Sequence, residues 1–221
     1  PRVRVVSDGH NAGLNTRCNE IARLSRGRYC ARMDADDIMH PLRLERQLEL
    51  LESHPEVDIA GTAVYVIDRD NTPIGIRHTE AVDTSPAAVV VSGFICHPTS
   101  FARTEWCIRN PYDKTFVAAE DHELFCRVAP TSGLARLQEP LFYYREMHKD
   151  ARSYKRYYEM HAKFLRKCYA LYGPRTVGWP GTVKLILRSH LKTGIYHLAT
   201  ALGAQEMVIK RRHGRPLTDG E

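Results

Sequence analysis

The 221-residue chain has six cysteines but no CxxC pair and no finger spacing, which excludes a structural zinc site and a thioredoxin-like redox motif. The cysteines at 18, 30, 96, 107, 126 and 168 read as reduced, mostly buried thiols. No run approaches the roughly 20 consecutive apolar residues of a membrane span, and the opening residues lack the apolar core of a signal peptide. The expected location is cytoplasmic. GxxxxGKS/T, a GxGxxG after a strand, GxSxG and HExxH are all missing, which disfavours P-loop NTPases, nicotinamide dehydrogenases, α/β-hydrolases and zincin proteases. Repeats and low-complexity segments are missing too.

The composition is that of a folded chain, 43% hydrophobic and 26% charged. Lys and Arg number 32 against 26 Asp and Glu, for a net charge of +6. Such an excess suits anionic partners, or serves only solubility.

Residues 2–6 alternate basic and apolar and predict a strand, followed by a loop and a helix with Leu14, Cys18, Ile21 and Ala22 on one face. Tyr29–Met33 reads as a short strand. DADD at 34–37 comes next, then Pro41 and a helix striped by Leu44, Leu48 and Leu51. Residues 57–67 predict a strand, with a turn at 68–73 into a second one. Residues 87–95 (AAVVVSGFI) and 99–103 look β-like, Glu120 opens a helix, and 134–144 predicts one or two strands. Alternating strands and helices with one hairpin predict an α/β body over 1–149 with a mixed, mostly parallel sheet. A basic, Tyr-rich helical region follows over 150–221.

Three constellations carry chemistry. Asp34, Asp36 and Asp37 crowd four positions between a strand and a helix, where α/β sheets bind ligands. Clustered carboxylates repel unless neutralised; a hard divalent cation bridging to phosphates does that, and so does the bland alternative of a cap at Asp37 with solvated neighbours. Glu120 and Asp121 either complement a helix dipole or supply a general base. Arg145 and His148, in YYREMH, suit a phosphate clamp and a metal ligand, although a strand-end Arg serves equally as a surface ion-pair partner. His97, in CHPTS, reads first as a buried, hydrogen-bonded histidine and second as a group on the acceptor side.

The succession NAGLNTRCNEIARLSRGRYCARMDADD, LERQLELLESHPEVDIAGT, HPTSFART, FVAAEDHELFCRVA and LFYYREMH resembles glycosyltransferase family 2 over residues 1 to about 148. Each motif alone is weak, and their joint order carries the likeness. The resemblance implies a GT-A, Rossmann-like fold, a nucleotide-diphospho-sugar donor, a divalent cation (Mn²⁺ or Mg²⁺) and inversion by direct displacement. In that scheme Asp36 holds the metal, Asp34 lies near the nucleotide and ribose, and Asn11 and Gly13 match the loop beside the nucleotide. Asp121 is the catalytic base and Glu120 contacts donor sugar or acceptor. Arg145 and His148 match a late loop closing on diphosphate and metal. The acceptor would be a hydroxyl of a glycan or lipid-linked molecule, with bacterial envelope or exopolysaccharide synthesis as the setting and no nucleic acid as partner.

There are departures. Many relatives carry Arg immediately before the position of Asn19; Cys18 stands there and Arg17 one residue earlier, about 100° around a helix. Ile21 replaces a small Gly. Residues 1–6 resemble the third strand of the family's sheet and the family's opening strand, helix and strand have no counterpart. The expectation is an N-terminally truncated glycosyltransferase, weak or inactive as it stands. The alternative is a degenerate, non-catalytic binding module. The segment KLILRSHLKTGIYHLATAL either lies peripherally on the inner membrane or packs on the body with its basic positions solvated.

Overall fold

The structure, a computed structural model, describes residues 3–146, 151–204 and 214–217, with backbone only at 151–154. In chain order the elements are α1 (Leu14–Leu24), β1 (Tyr29–Ala31), β2 (Ile38–Met39), α2 (Arg43–Ser53), β3 (Ile59–Ile67) and β4 (Pro73–Arg77). Then come α3 (Pro86–Ser92), a 3-10 turn (His97–Thr99), β5 (Phe101–Arg103), α4 (Thr104–Arg109), α5 (Glu120–Val128) and β6 (Leu134–Arg145). Two long helices, α6 (Ala151–Thr176) and α7 (Gly178–Ala201), complete the order.

One six-stranded sheet runs β1-β5-β3-β6-β2, with β4 also on β3. The central strand β3 reads IAGTAVYVI and is buried at every position but Tyr65, the near-continuous apolar run expected of a strand covered on both faces. The mixed α/β architecture is as expected. Its parallel character is concentrated in the longest ladder, β3 on β6. The shorter ladders, β1 on β5, β2 on β6, and β4 and β5 on β3, are antiparallel. The path from β3 to β6 passes through helices, as a parallel pairing requires, whereas β4 follows β3 by a tight turn and pairs antiparallel. Gly61 lies where β3 is closest to its cover, since a Cβ there would sit 2.2 Å from Ile95 Cγ2.

Three expectations are corrected. Residues 3–8 form no strand, and Val3 and Val5 are exposed; without a ladder partner among the described residues an alternating pattern has nothing to pair with. Residues 86–92 form α3, not a strand. Val89–Val91 favours β, but Ser85 Oγ accepts the Ala88 N–H, Pro86 occupies the first turn, and Gly93 ends the helix at φ 68°, so local caps override the β-branched run. In α2 the predicted leucine stripe is mostly solvent-facing: Leu44 and Leu48 are exposed, and the buried face is Arg43, Gln47 and Leu51.

That face is a polar spine. Arg43 Nε donates to Gln47 Oε1 (2.9 Å) and Nη2 donates to the Arg32 carbonyl (2.9 Å). Gln47 Nε2 donates to the carbonyls of Ala60 (3.0 Å) and Thr99 (2.9 Å). Gln47 Oε1 and backbone carbonyls take protons from Nε and Nη2, while Nη1 is buried without a partner; the guanidinium also stacks 4.9 Å over the Phe142 ring.

The helical pair packs on the body through α3 and α5. Tyr172 of α6 donates to Glu123 Oε1 (2.6 Å), and Glu123 is paired with Arg127 (2.8 Å). Val90, Cys126, Tyr169 and Leu185 form the apolar contact between the layers. Among the described residues no helix is long and apolar enough to cross a membrane.

Candidate active site

Strand pairing assembles the site. Because β2 pairs antiparallel with β6, Ile38 opposite Tyr143, the DADD loop meets the end of β6. There the Arg145 N–H donates to Asp37 Oδ1 (2.8 Å) and its Nε donates to the Asp36 carbonyl (2.7 Å). Its remaining nitrogens donate to the Asp68 carbonyl and Asn71 Oδ1. Arg145, expected to clamp a diphosphate, thus fastens the acidic loop to the β3–β4 turn. His148 lies outside the described residues.

Each acid in the loop has its own environment. Asp34 accepts from Arg32 Nη2 (2.8 Å). Asp36 is exposed. Asp37 is 7% exposed, and burial, with the charges of Asp36 and Asp34, pushes its carboxyl up to about 6 against the Arg145 N–H. Asp37 Oδ2 and Arg32 Nη1 are buried without a hydrogen-bond partner. Such orphans cost free energy and mark where a ligand, ion or water completes the set.

The second acidic site opens α5. Ala118, two residues before Glu120, adopts φ 69°, a left-handed conformation of the kind found at functional sites. α5 has no side-chain cap, so its positive end is shared with Glu120 and Asp121. Burial raises the Glu120 carboxyl, and Asp121 adds to the effect. Burial also pushes Asp121 up, yet His97, the His122 N–H (2.8 Å to Asp121 Oδ1), His122 and His161 together hold it below its usual value. A half-buried Asp121 is ionised at neutral pH. His97 itself is buried, shares a 2.8 Å hydrogen bond with Tyr112 Oη, and is held down to about 4 by burial; it is neutral at pH 7.

The two acidic sites are joined by residues that motif reading missed. Arg32 pairs with Asp34 and its charge also acts on Glu120 and His97. Its backbone N–H donates to the Ser100 carbonyl (2.8 Å), so the β1–β5 pairing brings the HPTS turn beside DADD. On α1, Asn15 Nδ2 donates to the carbonyls of Asp113 (2.7 Å) and Phe116 (2.6 Å). Asn19 donates to the Tyr112 carbonyl (2.9 Å) and accepts its N–H (2.8 Å). These bonds hold the loop that delivers Glu120 and Asp121. One signal was available: two Asn at i and i+4 on the buried face of a helix.

On the other side of α1, Asn11 Oδ1 accepts the Gly13 N–H (3.0 Å), and Gly13, at φ 79°, enters the helix in a conformation open to glycine. Both are exposed. Arg17 is engaged by Asp8, Glu20 (2.8 Å) and the His10 carbonyl (2.8 Å), so it holds its own loop.

Asp121 also lines a cavity of about 940 Å³ between the α3 end, α5 and the α6–α7 pair. Among the described residues no group of three His, Cys, Asp or Glu is gathered for a metal.

A family model for glycosyl transferase family 2 matches residues 1–136. The chain is 24% identical over 152 residues to an uncharacterized glycosyltransferase of Methanocaldococcus jannaschii, covering 67% of this chain and 52% of that protein. It is 24% identical over 157 residues to the chondroitin synthase of Escherichia coli, covering 71% of this chain and 22% of that protein. It is 43% identical over 58 residues to the amylovoran biosynthesis glycosyltransferase AmsE of Erwinia amylovora, 26% of this chain and 22% of that protein. The chain spans about half or less of the length of these relatives. Ordered acidic motifs, the sheet that joins them and a match over more than half of the sequence together place this chain in glycosyltransferase family 2.

Proposed function

We propose that residues 1–149 form the catalytic body of an inverting glycosyl transfer from a nucleotide-diphospho-sugar to a hydroxyl acceptor, with 150–221 as an attached helical region. The acceptor oxygen attacks the anomeric carbon, its proton passes to Asp121, and the bond to the diphosphate breaks with the electron pair leaving on the nucleoside diphosphate. The observation that carries this reading is the separation of the carboxylates into two environments, one beside Arg32 and the end of β6, the other at the mouth of a cavity. Displacement needs charge stabilisation behind the leaving group and a base on the opposite face.

Among the described residues the donors are acidic oxygens, with Asp37 Oδ2 unpartnered, and suit a hard divalent cation. Asp36 would hold Mn²⁺ or Mg²⁺, with His148 as a further ligand from outside the described residues, and the cation would neutralise charge growing on the diphosphate. Since no group of three ligating side chains gathers among the described residues, donor oxygens and water would complete its shell. Asp34, Glu120, Asn11 and Gly13 would contact donor or acceptor. Arg145 acts by positioning the Asp36–Asp37 backbone, because its own nitrogens are already bonded.

The relatives' names favour polysaccharide biosynthesis as the setting, in the cytoplasm or at the inner membrane face. The degenerate-module alternative is opposed by Asp36 and Asp121, both present with suitable surroundings. Asp121→Asn tests the reading: transfer is lost while cation-dependent nucleotide binding persists. Transfer at the original rate in Asp121→Asn contradicts it.

A further inference from the structure

The cavity beside Asp121 has a second end that the transfer chemistry does not use. Its far wall is built by α6 and α7, and α7 contributes Arg188 and Lys192 together with Leu185 and Ile195. These two cations follow Lys184 at four-residue intervals and so share one side of the helix. Among the described residues neither has a carboxylate within ion-pairing distance, and burial together with Arg188 draws the Lys192 ammonium below its usual value. Nor can a near neighbour in sequence neutralise them: seven Lys or Arg and no Asp or Glu lie between Glu159 and Glu206. Both side chains are exposed and stand side by side at the rim of the cavity, where an anion bridging them would meet two positive charges at once.

The outer surface of α7 is apolar. Trp179, Val183, Leu187, Leu191, Ile195 and Leu198 are all more than half exposed, Leu191 at 64%. At about 100° per residue this stripe lies opposite the buried Thr182, Leu185, Ser189 and Tyr196. Arg188 and Lys192 fall on the border between stripe and cavity, and Ile195 belongs to both. One path therefore runs from an exposed apolar face, across a paired cationic site, past aromatic walls at Tyr157, Tyr158 and Tyr169, to Asp121.

We infer that this cavity receives a lipid-linked phosphate acceptor, with the alkyl chain against the α7 stripe, the phosphate on Arg188 and Lys192, and the hydroxyl-bearing sugar at Asp121. The assignment of the hydroxyl end rests on Asp121 as base. The phosphate and lipid ends rest on α7 alone. A volume of about 940 Å³ lies within the range of small-ligand pockets, so it accommodates the head group while the chain remains outside in the bilayer. The apolar stripe bordered by cations is the arrangement of a helix lying in an anionic interface.

Vesicle sedimentation distinguishes the sources of phosphate. The chain is mixed with phosphatidylcholine vesicles, plain or containing polyprenyl phosphate, and in a parallel arm with water-soluble glucose 1-phosphate. Binding is expected for the polyprenyl phosphate vesicles, weakened at least tenfold in the double variant Arg188→Gln/Lys192→Gln and in Leu187→Ser/Leu191→Ser. Both variants change exposed side chains, and unchanged thermal melts establish that they remain folded. Equal vesicle binding by the Arg188→Gln/Lys192→Gln variant, or binding of glucose 1-phosphate as tight as that of the lipid, overturns the inference. Asp121→Asn separates it from the catalytic reading: this variant is expected to bind the vesicles as the original chain does. Should it retain transfer, the base assignment fails while the lipid site stands; should the cationic variant keep vesicle binding, the lipid site fails whatever Asp121 does.

Discussion

The two ends of the site are built on opposite principles. Around DADD, strand pairing and side-chain donors fix the backbone: Arg145 holds the loop, Arg43 and Gln47 hold the carbonyls beneath it, and Arg32 pairs with Asp34, while Asp37 Oδ2, Arg32 Nη1 and Arg43 Nη1 stay buried without a partner. Around Asp121 the structure is open, with a cavity, exposed apolar side chains on α7 and two cations lacking carboxylate partners among the described residues. A donor bearing a diphosphate and a cation has the same chemistry across a family, so its site can be rigid. On the proposed reading the acceptor varies, and its end of the site joins α3 and α5 to α6 and α7, the last two lying outside the part matched by the family model, which ends at residue 136.

The sharpest way to break this contrast is Asp121→Asn. Loss of a general base is expected to lower transfer by roughly 10² to 10⁴, with nucleotide and cation affinity unchanged, as measured by sugar transfer beside calorimetry. A fall in nucleotide affinity of the same size would mean that the two ends are one site.

Arg43→Leu tests the rigid end. It removes a buried guanidinium and leaves the Arg32 carbonyl and Gln47 Oε1 short of a donor, at an expected cost of about 1–3 kcal/mol for each unpaired acceptor in urea unfolding. A cost below about 0.5 kcal/mol would show that the polar spine is not what supports DADD.

Protonation acts on the core between the ends. His97 and His78 are each held down to about 4 by burial, against an ordinary 6.5. Between those values the unfolded chain binds protons that the folded chain does not, so stability falls as pH is lowered through that window. The gap at His97 is worth about 3 kcal/mol at most, and less at the more exposed His78. Unfolding midpoints at pH 7.5 and 4.5 should differ accordingly, and His97→Gln should flatten the dependence. An unchanged slope in that variant assigns the acid sensitivity elsewhere.

Asn19→Ala is the gentlest probe. It deletes both bonds to Tyr112 and should cost about 1–3 kcal/mol, with a further loss of transfer because the loop to Asp121 loosens.

The pattern of what could be read in the sequence follows the same division. DADD just after a strand, the β3–β4 hairpin and the acidic opening of α5 rest on local signals, and local signals survive folding; the short β2 between DADD and α2 was not legible, because it exists only by pairing with the distant β6. Helix α3 shows the cost of weighing β-branched residues above caps, since Ser85, Pro86 and Gly93 were all in view. Arg43 and Gln47 were hidden because periodicity scores leucines, and a buried Arg makes sense only once the carbonyls of Arg32, Ala60 and Thr99 converge on the spine. Arg145 looked like a clamp because its partners, the Asp36 and Asp68 carbonyls and the Asn71 and Asp37 side chains, come from distant segments, which no local pattern encodes. The cavity beside Asp121 needs α3, α5, α6 and α7 together, and no linear motif describes it.

The central claim, two carboxylate sites with separate duties, is tested most directly by calorimetric titration of UDP and Mn²⁺ into the original chain, Asp36→Ala and Asp121→Asn. Binding by the original chain that is abolished in Asp36→Ala and preserved in Asp121→Asn is the expected result; equal binding by Asp36→Ala, or its loss in Asp121→Asn, would contradict the division of the site.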